Sequence, residues 1–241
     1  MKAYQVQTAS GIDGLKLVDL PEPKQCGVGR IIVRVRATSL NYRDTAVVSG
    51  MYPGQTLPVI PLSDGTGDIV AIGEGVTRVN VGDRVAGIFF QDWIAGRLTR
   101  EKIKSALGGA INGMLAEYVV LNQEGVVLLP KHLSYEEGAA LPCAAVTAWQ
   151  ALVTRGGLAA GETVLLLGTG GVSIFALQFA QTLGARIIIT SSSDEKLERA
   201  KEMGAHETIN YKTYPNWQEQ VLKLATNLTR DTLQRQGSSH C

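Results

Sequence analysis

The sequence predicts a two-part α/β chain: a β-rich domain over residues 1–130, then the first half of a doubly wound parallel sheet over 131–227, then a divergent tail at 228–241. Three observations predict it. Short apolar runs separated by Gly, Pro and Asp turns fill the first part. After Pro130, strand-type apolar runs alternate with stretches of helical period, which is the signature of βαβ units with right-handed crossovers. A glycine-rich turn stands between the first of those strands and the helix after it.

In chain order, Ile31-Ile32-Val33, Ile69-Val70, Val85-Ala86-Gly87-Ile88 and Tyr118-Val119-Val120-Leu121 are expected strands, with Pro58, Pro61, Gly65, Gly67, Gly73, Gly75 and Gly82 as punctuation. Residues 91–112 are more polar and irregular, and read as a surface excursion. Ser134-Tyr135-Glu136-Glu137 has the form of a capping box opening a helix. A second helical stretch, 146–153, follows Pro142. Val164-Leu165-Leu166-Leu167 is a continuous apolar run of buried-strand type. A helix over 172–183, a strand at Ile187-Ile188-Ile189, a helix over 194–203, a short strand at Glu207-Thr208-Ile209-Asn210 and a helix over 215–224 complete the series.

Composition narrows the function. Hydrophobic residues make up 45% and charged residues 19%, the profile of a globular protein rather than a disordered one. The net charge of +1 supplies no broad field for capturing nucleic acid or an acidic membrane. Cys26, Cys143 and Cys241 are distant and odd in number, which argues against a disulfide scaffold and fits a reducing, cytoplasmic setting. The first residues, Met1-Lys2-Ala3-Tyr4-Gln5, lack the apolar run of a signal peptide. Residues 163–185 carry no charge and could span a bilayer by length, but Gly168, Gly170 and Gly171 cut them into a strand and a helix.

The strongest local signal is Leu167-Gly168-Thr169-Gly170-Gly171-Val172-Ser173, directly after a strand and opening a helix. A dinucleotide pyrophosphate needs glycine for the tight turn and close backbone approach, and a helix N-terminus to face its charge. Ser173 replaces the third glycine of the usual pattern, and the plain alternative is a turn that binds nothing. At the end of the next strand an NAD site would place an acid to accept from the ribose 2′-hydroxyl. Here the positions are Thr190-Ser191-Ser192-Ser193, with Lys196 one helical turn on. Hydroxyls and a cation suit the 2′-phosphate of NADP(H) better. Two alternatives stay open: one in which Ser192 or Ser193 is only a helix cap and Lys196 is solvated, and one in which Asp194 caps the helix or favours NAD(H).

With these residues in view, the chain resembles the medium-chain dehydrogenase/reductase superfamily, in its zinc-independent, quinone-oxidoreductase-like branch. The resemblance is carried by Gly65-Thr66-Gly67-Asp68-Ile69-Val70, Gly73-Glu74-Gly75-Val76, Gly82-Asp83-Arg84-Val85, Leu40-Asn41-Tyr42-Arg43-Asp44, Ser49-Gly50-Met51-Tyr52-Pro53 and Leu141-Pro142-Cys143-Ala144-Ala145-Val146-Thr147-Ala148-Trp149. It implies a GroES-like domain followed by part of a Rossmann domain, and hydride exchange between NADP(H) and a small carbonyl compound: a quinone, an enone, or an alcohol/aldehyde pair. It places Asn41 and Tyr52 by the nicotinamide, where an amide and a phenol could donate to a developing oxyanion. A loop-structuring amide and an aromatic wall are the equal alternatives. It also assigns Thr147 to the nicotinamide, Gly168, Gly170, Gly171 and Val172 to the pyrophosphate, and Ser191, Ser192, Lys196 and Tyr211 to the adenosine end. Full-length relatives are implied to be homodimers.

Zinc is not expected. The ligand positions of the zinc enzymes correspond to Asn41, Ser63 and Cys143, and one thiolate cannot make a tetrahedral site. Residues 91–112 hold none of the cysteines of a structural-zinc lobe, and His132, His206 and His240 have no metal spacing. Cys143 then reads as a small hydrophobe. After residue 227 the polar tail departs from the family pattern, and the second half of the Rossmann sheet is expected to be missing. A non-catalytic fragment, or a binding module built on the GroES-like domain, is the second class of function.

Overall fold

A computed structural model describes residues 1–225. The expected tail at 228–241 lies outside them. The chain divides into two compact units, one over Met1–Cys143 and one from Ala144 onward.

The first unit is built on antiparallel strands. β1 (Lys2–Val6) and β2 (Leu15–Asp19) form a two-stranded ribbon. Five strands make the main sheet: β3 (Arg30–Ser39), β4 (Asp64–Ile72), β5 (Arg84–Gly87), β6 (Tyr118–Asn122) and β7 (Val126–Leu128). Their order is β6-β3-β4-β5-β7. β3 is paired on both sides, by β6 and β4, and its run of branched residues, Ile31, Ile32 and Val33, is buried. Ile31 and Val33, which share one face of the strand, pack with Ile69, Val85, Leu107, Met114, Leu121 and Val126 into one core, as expected of β-branched side chains on a pleated surface.

The reading of 91–112 as a surface excursion needs correction. Its first half, which leads into the short helix α2 (Arg100–Ile103), is mostly exposed, with Gln91 buried and Trp93 half-buried, but Ser105, Ala106 and Leu107 are buried. Backbone hydrogen bonds Leu107 N→Phe89 O (3.0 Å) and Gln91 N→Ser105 O (3.1 Å) zip the segment back onto the chain that leaves β5. Gln91 is polar yet buried because its amide is satisfied, donating to Gly125 O at 2.8 Å and Ile88 O at 3.0 Å. Helix α1 (Tyr42–Val48), which polar Asn41-Tyr42-Arg43-Asp44 concealed, follows β3.

The Ser134 capping box forms as the sequence predicts. Ser134 Oγ accepts from Glu137 N (3.1 Å), Glu137 Oε2 accepts from Ser134 N (2.8 Å), and α3 (Tyr135–Ala139) begins there. This helix is pinned to the main sheet. Thr66 Oγ1 donates to Tyr135 O (2.7 Å), and the Tyr135 phenol donates to Asp68, which also accepts from Arg36 Nε at 2.7 Å. Partial burial works against the charge on Asp68, but hydrogen bonds from Tyr135 and Arg36 hold its carboxyl below the ordinary value. Helical backbone continues from Leu141 through Arg155, with α4 (Val146–Trp149) flanked by wider π turns.

The second unit alternates strand and helix as predicted: β8 (Thr163–Leu166), α5 (Gly171–Thr182), β9 (Arg186–Ser191), α6 (Asp194–Glu202) and β10 (Glu207–Asn210), with residues 217–225 helical. The sheet is parallel in the order β10-β9-β8. Ile187, Ile188 and Ile189 of β9 are buried, and Leu177 and Ala180 of α5 pack on its inner face with Leu197 and Ala200 of α6. β8 differs from the fully buried strand its apolar run suggests, with Leu165 36% and Leu167 61% exposed. Side chains alternate between faces: Leu166 and Val164 pack in the core with α5, and Leu165 points to the opposite face. No helix among the described residues is long and apolar enough to cross a membrane.

Candidate functional site

Chemistry-bearing residues gather at two places, one in each unit. In the second unit the strands run parallel, so the carboxyl ends of β8, β9 and β10 share one edge of the sheet, the edge where such sheets take ligands. The turn from β8 to α5 lies there. Gly168 has φ +79°, a conformation that glycine adopts without strain, and Gly170 is the N-cap of α5. A Cβ built at either glycine meets nothing within 4 Å. The start of α5 has no side-chain cap and no acid in its first turn. Ser173, in place of a third glycine, donates to Leu167 O at 3.0 Å and ties the helix start to the strand end. Val172 is 40% exposed on the first turn. Thr147 is exposed on α4, which packs against α5 through an edge-to-face contact of Trp149 with Phe179, 5.4 Å between centroids.

The end of β9 is wired to this turn. Gly168 N donates to Thr190 Oγ1 (3.2 Å), and the hydroxyls of Thr169 and Ser191 lie 3.0 Å apart. Ser193, not Ser192 or Asp194, is the N-cap of α6, accepting from Lys196 N at 3.4 Å. Ser191 is buried and Ser192 partly buried, while Lys196 is exposed and makes no ion pair among the described residues. Asp194 is engaged by Asn210 Nδ2 at 2.6 Å, which draws it toward the end of β10. Tyr211, 40% exposed, follows β10 and its N–H donates to Ser191 O at 3.0 Å. The structure thus brings together Gly168, Gly170, Gly171, Val172, Ser191, Ser192, Lys196 and Tyr211 around one sheet edge. Thr169 and Thr190, which hold the turn to β9, were missed because hydroxyls inside such a motif carry no distinct spacing.

In the first unit, Asn41 is the N-cap of α1, and its N–H donates to Asp44 Oδ2 at 2.7 Å. Tyr52 lies in the loop after α1 and stacks on Arg43, whose guanidinium carbon is 4.2 Å from the Tyr52 ring centroid and 4.7 Å from that of Phe89. Arg43 thus ties Tyr52 to α1, the helix that Asn41 caps. Ser63 and Asp64 are wholly buried; Ser63 Oγ donates to Asp64 Oδ1 (2.6 Å) and Cys143 N donates to Asp64 Oδ2 (2.8 Å). Burial pushes the Asp64 carboxyl up, against hydrogen bonds from Ser63 and Cys143 and easing by Asn41 and Arg43. Burial also raises Asp44, opposed by the Asn41 N–H and the charge of Arg43. Asn41 Nδ2 is buried without a partner of hydrogen-bonding geometry. Arg43, Asp44 and Asp64 escaped the sequence reading. Their signal, an Arg-Asp pair beside an expected site amide, was available but reads by default as surface charge.

Both units are similar to known proteins. Residues 27–131 match the profile of the alcohol dehydrogenase GroES-like domain, and residues 171–232 match that of the zinc-binding dehydrogenase. A zinc-type alcohol dehydrogenase-like protein of Schizosaccharomyces pombe is 47% identical over 222 residues, covering 91% of this chain and 64% of that protein. A quinone oxidoreductase of Pseudomonas aeruginosa is 37% identical over 92% of this chain and 62% of its own length. The crystal structure of an NAD-dependent alcohol dehydrogenase superposes with a TM-score of 0.84 at 37% identity, over 94% of this chain and 68% of that one. The chain spans a little under two thirds of the length of the curated relatives it matches. It belongs to the medium-chain dehydrogenase/reductase superfamily, with a GroES-like unit followed by a Rossmann-type parallel sheet.

Proposed function

We propose that this chain belongs to an NADP(H)-dependent oxidoreductase that exchanges hydride with a small carbonyl compound (a quinone, an enone, or an alcohol/aldehyde pair) without zinc. The observation that carries the cofactor reading is the open Gly168–Gly171 turn at the start of α5, wired to a β9 end that carries hydroxyls where an acid would serve NAD. Bound there, the nicotinamide would supply or accept the hydride. The α5 N–H groups hold the pyrophosphate, and Ser191, Ser192 and Lys196 receive the 2′-phosphate. Tyr211 lines the adenosine end, and Thr147 serves the nicotinamide. Asn41 and Tyr52 orient and polarise the substrate oxygen as hydrogen-bond donors.

The residues do not fit a zinc site. Asn41 and Ser63 offer an amide and a hydroxyl where thiolate and imidazole would be needed, and the Ser63 hydroxyl is committed to Asp64. Titration with NADPH and NADH by fluorescence tests the cofactor reading. Losing one charge-assisted contact costs about 1.5–3 kcal/mol, so Lys196→Ala should weaken NADPH about 10- to 150-fold and leave NADH nearly unchanged. Equal affinity of the parent chain for the two cofactors refutes the NADP(H) assignment, and tighter NADH would bring Asp194 forward as the selecting residue.

A further inference from the structure

Asp194 is the residue at odds with a 2′-phosphate. It is the first residue of α6, exposed, directly after the Ser193 cap, so a carboxylate stands at the helix start that follows the hydroxyl-bearing end of β9. Left free, it would repel a dianionic phosphate, or accept from the 2′-hydroxyl of an unphosphorylated ribose. Lys196 does not neutralise it. Residues two apart on a helix do not face each other, and neither side chain makes an ion pair among the described residues. The group that holds Asp194 is neutral: Asn210 Nδ2 donates to its Oδ1 at 2.6 Å.

Asn210 is fixed in that pose at both ends. It is the last residue of β10, in register with Ser191 of β9, and the next N–H, that of Tyr211, donates to Ser191 O at 3.0 Å. Its backbone is thereby locked beside the strand end proposed for the adenosine. Its amide is locked as well. Oδ1 accepts from Lys212 N at 2.9 Å and from Thr213 N at 3.5 Å, the turn in which an Asn side chain bonds the backbone two residues on. With Oδ1 committed to the turn, Nδ2 faces Asp194 and draws its carboxylate toward β10.

We propose that Asn210 is a specificity-determining residue: it parks Asp194 against β10 and so leaves Ser191, Ser192 and Lys196 to a phosphorylated ribose. It is a positioning residue, acting on the cofactor through Asp194 without touching it. The inference rests on the nucleotide site proposed above, but the direction of the change does not depend on which nucleotide is preferred. The full chain is titrated calorimetrically with adenosine 2′,5′-bisphosphate and with 5′-AMP, which differ by the 2′-phosphate and ask nothing of the nicotinamide end. Asn210→Ala should lower the ratio of the two affinities, bisphosphate over AMP, about 2- to 12-fold, the order of one hydrogen bond. Asp194→Ala removes the carboxylate that Asn210 controls, so in that background Asn210→Ala should leave the ratio unchanged, whereas a merely structural role would act alike in both backgrounds. A ratio that Asn210→Ala does not move, or that falls equally with and without Asp194, overturns the proposal. A chain that binds neither nucleotide refutes the site and this role with it. A parent chain that favours 5′-AMP, with the ratio still falling through Asp194, sinks the NADP(H) assignment and leaves the role of Asn210 standing. Should Asn210→Ala fail to fold, Asn210→Asp enters the same cycle: it keeps the turn acceptor and loses the Nδ2 donor, and the direct effect of its added charge on the ligand cancels between the two backgrounds.

Discussion

Gly170→Ala separates a structural glycine from a ligand-binding one. Gly170 has φ −79° and ψ 174°, extended backbone open to any residue, and its added Cβ would meet nothing within 4 Å. In the free chain two small effects oppose each other. Alanine is a poorer N-cap than glycine, costing at most about 1 kcal/mol, while the stiffer unfolded chain returns about 0.4–1 kcal/mol. The net change is within about 1 kcal/mol, or at most about 4 °C in Tm for a chain of this size. In the presence of NADPH the methyl occupies the space through which the pyrophosphate approaches the α5 N–H groups. Loss of one charge-assisted hydrogen bond there, about 1.5–3 kcal/mol, weakens binding about 10- to 150-fold. Gly168→Ala is the control: at φ +79° a Cβ costs roughly 1–2 kcal/mol in the free chain, so this variant loses stability as well. Melting curves with and without NADPH, with fluorescence titration, read all four quantities. A Gly170→Ala chain that binds NADPH normally, or that is already crippled without it, refutes the assignment of this turn to the pyrophosphate.

Two further outcomes follow from the first unit. Because burial raises the Asp64 carboxyl, the folded chain holds that proton more firmly than the unfolded one, so its contribution to stability is greatest below the unfolded value of about 4 and falls as pH rises toward the folded value. Asp64→Asn imitates the neutral carboxyl and should flatten that fall in urea melts taken upward from pH 4; a steeper fall in the variant would show that the buried charge is a net stabiliser. Purified protein should hold far less than one zinc per chain and keep its melting temperature in chelator, whereas one zinc retained through dialysis would mean that Asn41 and Ser63 do not mark the ligand positions.

The second unit was the more legible because its signals are local. A strand, a glycine turn and a helix occupy consecutive residues, so Val164 to Leu183 could be assigned without knowing any distant contact. The same holds for the Ser134 capping box, whose partners are three residues apart. β1 and β2 are less legible, since Lys2–Val6 and Leu15–Asp19 mix charged and apolar residues, and β1 is held by distant chain as well as by β2, Tyr4 N donating to Leu115 O and Val6 N to Val59 O. Ser193 illustrates an intermediate case. A cap among Thr190-Ser191-Ser192-Ser193 was foreseeable, but which hydroxyl took that task, leaving the others to Gly168 and Thr169, depended on where β9 ended.

The surroundings of Arg43 were illegible for a reason that can be traced to one segment. Nothing in Asn41-Tyr42-Arg43-Asp44 says that its charges are buried, because Arg and Asp are surface residues unless something distant covers them. The cover comes from Phe89, Leu107 and Gly109. Two of those three lie in residues 91–112, whose polarity reads as a surface loop. Once Leu107 N is bonded to Phe89 O and residues 105–107 fold inward, the Leu107 carbonyl becomes the acceptor for Nη1 and Gly109 comes up against Nη2. A single misjudged loop therefore hid a cation that is now the main feature of the first unit's polar cluster. The same dependence explains why Asn41 and Tyr52 could be named but not connected: they are joined by Arg43, and what holds Arg43 in place is contributed by chain some 65 residues away.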